Sequence, residues 1–186
     1  MKIVVITIFF AMAGFLLLGF AGNMLIEEVV QEVSVDDPRT AMVGEKTKIQ
    51  KAPYWDLPDL EGNRVLLSDF YGKPLVMTFW ASWNELAADQ LAMLDEFYSQ
   101  KNKEGLFNIM AINNQEPKGK VFNFMSRGGY ALPVLLDELG AVGQAYGLRQ
   151  LPTTYFIDKN GVIFETFVGV LDEKTLVGKV EKIISE

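Results

Sequence analysis

Glu85 and Asp89 stand four residues apart, which puts two carboxylates on one helical face where they could exchange protons or hold a hard cation. Like charges at that spacing repel, and no further oxygen ligands can be placed around them, so the pair reads as a solvated face. The commoner reactive groups are missing: the 186 residues include no Cys and no His. The chain therefore has no thiolate nucleophile, no imidazole base and neither of the side chains that dominate zinc and copper sites. Disulfide exchange, cysteine peroxidase chemistry, Ser-His triads and haem ligation by His or Cys are excluded on the same ground. Carboxylate, Lys, Tyr and hydroxyl chemistry is what remains, and no catalytic residue or metal ligand is assigned. There is no GxGxxG after a strand and no GxxxxGK[ST] loop, so no cofactor is expected. The net charge of −7 argues against nucleic acid, which needs clustered Lys and Arg against its phosphates.

Elements that would position a site can be read from the apolar pattern. With 49% apolar residues the chain can build one ordinary core plus a short extra segment. Leu75 to Trp80 reads as a buried strand, and Ala87, Leu91, Leu94 and Tyr98 keep helical spacing, giving a βα unit. Leu106 to Ile112 is a second strand. Val121, Phe122 and Met125 mark a helix stopped by Gly128 and Gly129, and Pro133 to Leu136 is a short extended piece. Thr153 to Ile157 and Val162 to Val168 flank Asp158-Lys159-Asn160-Gly161, where Asn-Gly predicts the positive φ angles of a hairpin turn. A last helix starts near Asp172, with Leu176, Val180, Ile183 and Ile184 on one face. Parallel βα units followed by an antiparallel hairpin and a closing helix predict a mixed α/β sandwich.

The N-terminal part is different. Ile3 to Ile26 is almost wholly apolar, about 36 Å of helix, enough to cross a bilayer. That length favours an uncleaved anchor over a signal peptide, although Gly19 and Ala21 have small-x-small spacing. Lys2 precedes the segment, and Glu27, Glu28, Glu32, Asp36 and Asp37 follow it. This charge order predicts a body outside the cytoplasm, in the periplasm or at the cell surface. Residues 27–51 lack a sustained period and contain Pro38 and Gly44, which reads as a spacer. The expected organisation is an anchor or signal segment over 1–26, a spacer over 27–51 and a domain over 52–186.

Three strings carry a resemblance: APYWDLPDLEGNRVLLSDFYGKPLVMTFWASW (Ala52 to Trp83), LPVLLDE (Leu132 to Glu138) and AYGLRQLPTTYFIDKNGVI (Ala145 to Ile163). Together with the element order they resemble the membrane-anchored, TlpA- and ResA-like branch of the thioredoxin superfamily, over roughly Lys51 to Glu186. The resemblance implies a thioredoxin-like fold and, in intact members, thiol-disulfide oxidoreductase activity in cytochrome c maturation or envelope redox control. In that family the tryptophan matching Trp83 is followed by Cys-x-x-Cys at a helix start, where the dipole and free N–H groups lower the thiol pKa. Here Asn84 and Ala87 stand in the cysteine positions, Gln90 replaces an acidic residue, and Ala92 replaces a proline. No residue here can form the mixed disulfide of exchange.

Leu151-Pro152 matches the family's cis-proline beside the active site, and X-Pro is the bond where cis is cheap. In the family the backbone just before that proline pairs with an extended substrate peptide, a strand addition that needs no thiol. The expected peptide-binding residues are accordingly Trp83, Asn84, Leu151 and Pro152, and the expected partner is a protein or extended peptide of the cell envelope. Asn84 is first of all a helix cap. Trp80 is expected in the core and Trp83 at the surface as an aromatic anchor, while Val142 and Tyr146 are read as packing on a short helix. A rigid subunit of a membrane complex, with the old site buried in an interface, is the structural alternative.

Overall fold

A computed structural model of the chain describes residues 50–101 and 105–185. The expected anchor and residues 27–49 of the expected spacer lie outside these. Among the described residues no helix is long and apolar enough to cross a membrane.

A six-stranded mixed sheet organises the fold, in the order β1-β8-β7-β4-β5-β6. Its centre is β4 (Leu75–Trp80), every residue of which is buried, because helices and loops cover both sheet faces and leave no solvent side for a polar alternation. β5 (Asn108–Asn114) and β6 (Val134–Asp137) continue the sheet in parallel on one side. β7 (Thr153–Ile157) and β8 (Val162–Val168) pair antiparallel on the other. β5 starts two residues later than the apolar run implies, since its pairing opens at Leu75 with Asn108 and Leu106 is exposed.

The period of two along β4 separates two cores. Val76 and Trp80 face α1 (Ala87–Lys101), α2 (Lys118–Gly128) and α4 (Glu173–Ser185), packing with Leu91, Leu94, Val121 and Leu176. Leu75, Met77 and Phe79 face the opposite layer, built from Trp55, Leu57 and Leu67 and from Val142 of α3 (Ala141–Ala145). The second layer was only partly foreseen. The strands β2 (Asp56–Pro58) and β3 (Arg64–Leu66) form a separate small hairpin, too short to show a period. The sheet also takes in β1 (Gln50–Lys51), two residues of the segment read as spacer.

Local signals set the element ends. Asp172 accepts from the Thr175 N–H at 2.7 Å and so caps α4. Gly129 takes φ +68° at the end of α2, the left-handed turn that favours glycine. In the β7–β8 connection only Gly161 has positive φ, against the two expected from Asn-Gly. The loop has four residues, closed by Gly161 N–H on the Asp158 carbonyl at 3.0 Å, and Asp158 Oδ1 accepts from the Asn160 and Val162 N–H groups. Such a turn needs the left-handed region at one residue only. Phe122 and Ile184 point outward; each lies about 100° round its helix from a buried neighbour.

Candidate functional site

The carboxyl end of β4 runs into Ala81, Ser82 and Trp83, and one buried carboxylate fixes this turn. Glu116, on the segment leaving β5, accepts from the Ser82 N–H at 2.5 Å and from Ser82 Oγ at 2.7 Å. It also accepts from Asn113 Nδ2 at 2.8 Å and pairs with Lys120 Nζ at 2.8 Å. Burial pushes the Glu116 carboxyl up, but hydrogen bonds from Asn113, Lys120 and Ser82 outweigh it and hold the group below its ordinary range. With the turn clamped from beneath, Trp83 projects outward, 62% exposed, whereas Trp80 is fully buried.

Asn84 follows and binds in two directions. Its Oδ1 accepts from the Leu86 N–H at 2.9 Å, satisfying one free donor of the turn that leads into α1. Its Nδ2 donates to the Leu151 carbonyl at 2.9 Å. The Leu151–Pro152 peptide bond is cis. Trp83, Asn84 and Leu151 thus line one groove of about 430 Å³. Pro152 stands beside them but is buried and is not part of that lining; its carbonyl accepts from the Gly169 N–H at 2.9 Å, bringing exposed Val168 and Val170 alongside. The Leu151 N–H has no hydrogen-bond partner among the described residues.

Behind the groove the surroundings are closed. Ala87 is buried, and Gln90 is fully buried, accepting from the Leu171 N–H at 2.9 Å while its Nε2 has no partner among the described residues. Glu85 and Asp89 are both exposed. Val142 and Tyr146 are core residues.

A family model, the AhpC/TSA family, matches residues 49–166. The chain belongs to the AhpC/TSA family. Within it, this AhpC/TSA chain is similar to the thiol-disulfide oxidoreductase ResA of Geobacillus thermodenitrificans, 34% identical over 142 residues, which span 75% of this chain and 81% of that one. Among solved structures it is similar to a Chlorobium tepidum protein assigned as a thiol:disulfide interchange protein DsbE. The TM-score is 0.68 and the identity 27%, over 73% of this chain and 96% of that one. The exposed lipoprotein thioredoxin Etrx1 of Streptococcus pneumoniae gives a TM-score of 0.61 and 27% identity, over 70% of this chain and 99% of that one. The AhpC/TSA domain is therefore a thioredoxin-like α/β fold in the thiol-disulfide oxidoreductase group, and the 186-residue chain carries no cysteine.

Reading the sequence picked out Trp83, Asn84, Leu151 and Pro152, and the fold brings all four to the ends of β4 and β7. It missed Glu116, Leu86 and Arg149. Glu116 and Lys120 have the i,i+4 spacing of an ion pair, the one signal that was available. Leu86 and Arg149 carry no local signal; only the fold shows that Leu86 is exposed next to Trp83 and that Arg149 lines the groove.

Proposed function

We propose that this chain is a non-catalytic binding module that holds an extended segment of a cell-envelope protein, tethered by the apolar stretch Ile3–Ile26 with the domain outside the cytoplasm. The observation that supports this reading is an exposed apolar surface beside an unpaired backbone N–H, in a chain without a thiolate nucleophile. Trp83, Leu86, Val168 and Val170 expose apolar surface around the cis Leu151–Pro152 bond, while Asn84 fills the position where exchange needs a thiolate. Apolar surface gathered beside an unpaired backbone donor is suited to strand addition, with the ladder supplying affinity and side-chain contacts selecting the sequence. A carboxamide cannot form a disulfide, so a bound segment would be held and released unchanged.

The test is capture of partners from the native membranes by the full-length chain, wild type against Trp83→Ala. Loss of one specific partner from a folded Trp83→Ala chain is the expected result, and an unchanged set would move the reading to a rigid subunit of a membrane complex. The similarity to thiol-disulfide oxidoreductases favours a second reading, a redox enzyme. Reduction of insulin by the purified chain would establish it and overturn the first.

A further inference from the structure

We propose that Arg149 selects a carboxylate on the bound segment, so that the groove takes an extended peptide with Asp or Glu one or two positions from the residue paired with Leu151. This rests on the binding-module reading and names the class of ligand. Arg149 is the one charged side chain in the groove lining. It is exposed and makes no ion pair or hydrogen bond among the described residues, and no carboxylate lines the groove beside it. The neighbouring lining from Asn114, Gln115 and Gln150 is neutral and amide-bearing, able to hydrogen-bond a peptide backbone without competing for the guanidinium.

Part of the groove lining shared with Arg149 is preset. Gln115 is the one non-glycine residue with positive φ among the described residues, at 60°, a conformation that costs energy unless its surroundings impose it. They do: its N–H donates to the Asp137 carbonyl at 2.9 Å, and its side chain fills the space above Gly140, where an added Cβ would come within 2.6 Å of Gln115 Nε2. A rigid wall spares a ligand part of the ordering cost of binding.

The backbone at Leu151 makes a side-chain contact necessary. Asn84 already donates to its carbonyl, so the edge offers a new strand chiefly the Leu151 N–H, about half of the usual pairing. A carboxylate on Arg149 supplies a charge-assisted second point of attachment. The chain is acidic overall, at −7, so negative charge elsewhere on the peptide gains nothing from long-range attraction. Selection should therefore fall on one position and not on acidity in general.

The test is selection of displayed random heptapeptides on the full-length chain in detergent micelles, in parallel with Arg149→Gln and Arg149→Lys. Expected is enrichment of Asp or Glu at one position with the wild type, retained in part by Arg149→Lys and lost with Arg149→Gln. In a selected peptide, Glu→Gln should weaken binding to the wild type about fivefold, the upper range of an exposed ion pair, and leave binding to Arg149→Gln nearly unchanged. Peptides enriched without an acidic position, or an acidic preference that survives Arg149→Gln, would overturn the Arg149 assignment and leave the binding module standing. No enrichment by the wild type would defeat both.

Discussion

Replacing Asn84 should lower stability and, on the proposed binding reading, raise affinity, because its carboxamide both caps the turn and occupies the Leu151 carbonyl that a docked strand would use. Asn84→Ala removes the Oδ1 acceptor of the Leu86 N–H and the Nδ2 donor to the Leu151 carbonyl. The lost cap costs about 1 kcal/mol, and the lost side-chain bond to the carbonyl costs about another 1 kcal/mol. For a domain of this size 2 kcal/mol corresponds to about 6–10 °C in Tm. The freed Leu151 carbonyl can then accept an N–H from a docked peptide, worth about 1 kcal/mol, or about fivefold in affinity. Asn84→Asp separates the two effects. Its carboxylate keeps the Leu86 acceptor and is favoured near a helix start, but it cannot donate to Leu151 and sets a negative charge against that carbonyl. The cap's share, about 1 kcal/mol, should survive in Asn84→Asp while the bond to Leu151 is lost. Thermal unfolding and titration of Trp83 fluorescence with a peptide selected on the wild type give the two readouts. A Tm unchanged in Asn84→Ala, or affinity falling along with stability, would refute the claim that Asn84 occupies the binding edge.

Two further substitutions probe the buried polar groups. Glu116 lies below the ordinary 4.5 of its carboxyl, so its contribution is complete above about pH 5 and is lost as pH falls through its folded value. Glu116→Gln should remove up to about 1.4 kcal/mol per pH unit of the acid slope below pH 4.5, read by urea unfolding from pH 3 to 7; an unaltered slope would show that the Ser82 clamp does not depend on charge. Gln90→Glu places a carboxyl where the side chain is fully buried, and burial raises its pKa. The variant should therefore match the wild type near pH 4 and lose about 2–4 kcal/mol by pH 7, whereas a deficit independent of pH would mean the carboxyl reaches water and titrates as it does in the unfolded chain.

The parts of the fold legible in the sequence were those with a strong period or an explicit stop. Leu75 to Trp80, whose alternate side chains enter two cores, is an apolar run interrupted only by Thr78, and Gly129 ends α2 where a left-handed residue is required. The β2–β3 hairpin and β1 are invisible because two or three residues carry no period, and their place comes from partners far along the chain, such as Val162 and Ile163 for β1. The same distinction divides the site. Trp83, Asn84 and Leu151-Pro152 sit in recognisable strings, but the bond from Asn84 to Leu151 spans 67 residues, and that from Glu116 to Ser82 spans 34. No local pattern encodes contacts at that separation.

The Glu116 clamp also separates a firmly presented Trp83 from one on a merely slack loop. An exposed Trp on an unrestrained turn could fold back and bury its ring, which would gain about 2 kcal/mol. Ser82, immediately before Trp83, is instead held through both its N–H and its hydroxyl by a carboxylate that Asn113 and Lys120 keep charged. Asn84, immediately after it, is pinned to Leu86 and Leu151. With the chain fixed on both sides, the backbone at Trp83 is held outward by several hydrogen bonds, most of them part-buried, whose joint loss would cost more than the exposed ring does. On the proposed reading, such an arrangement would hold Trp83 ready for a partner with less ordering entropy to lose when the partner arrives. Position 87 contributes through its backbone alone: the Ala87 N–H donates to the Asn84 carbonyl at 3.0 Å, and the side chain is buried. The scaffold that presents Trp83 thus uses no side-chain polar atom at position 87, and the proposed binding would need no sulfur, which exchange chemistry does.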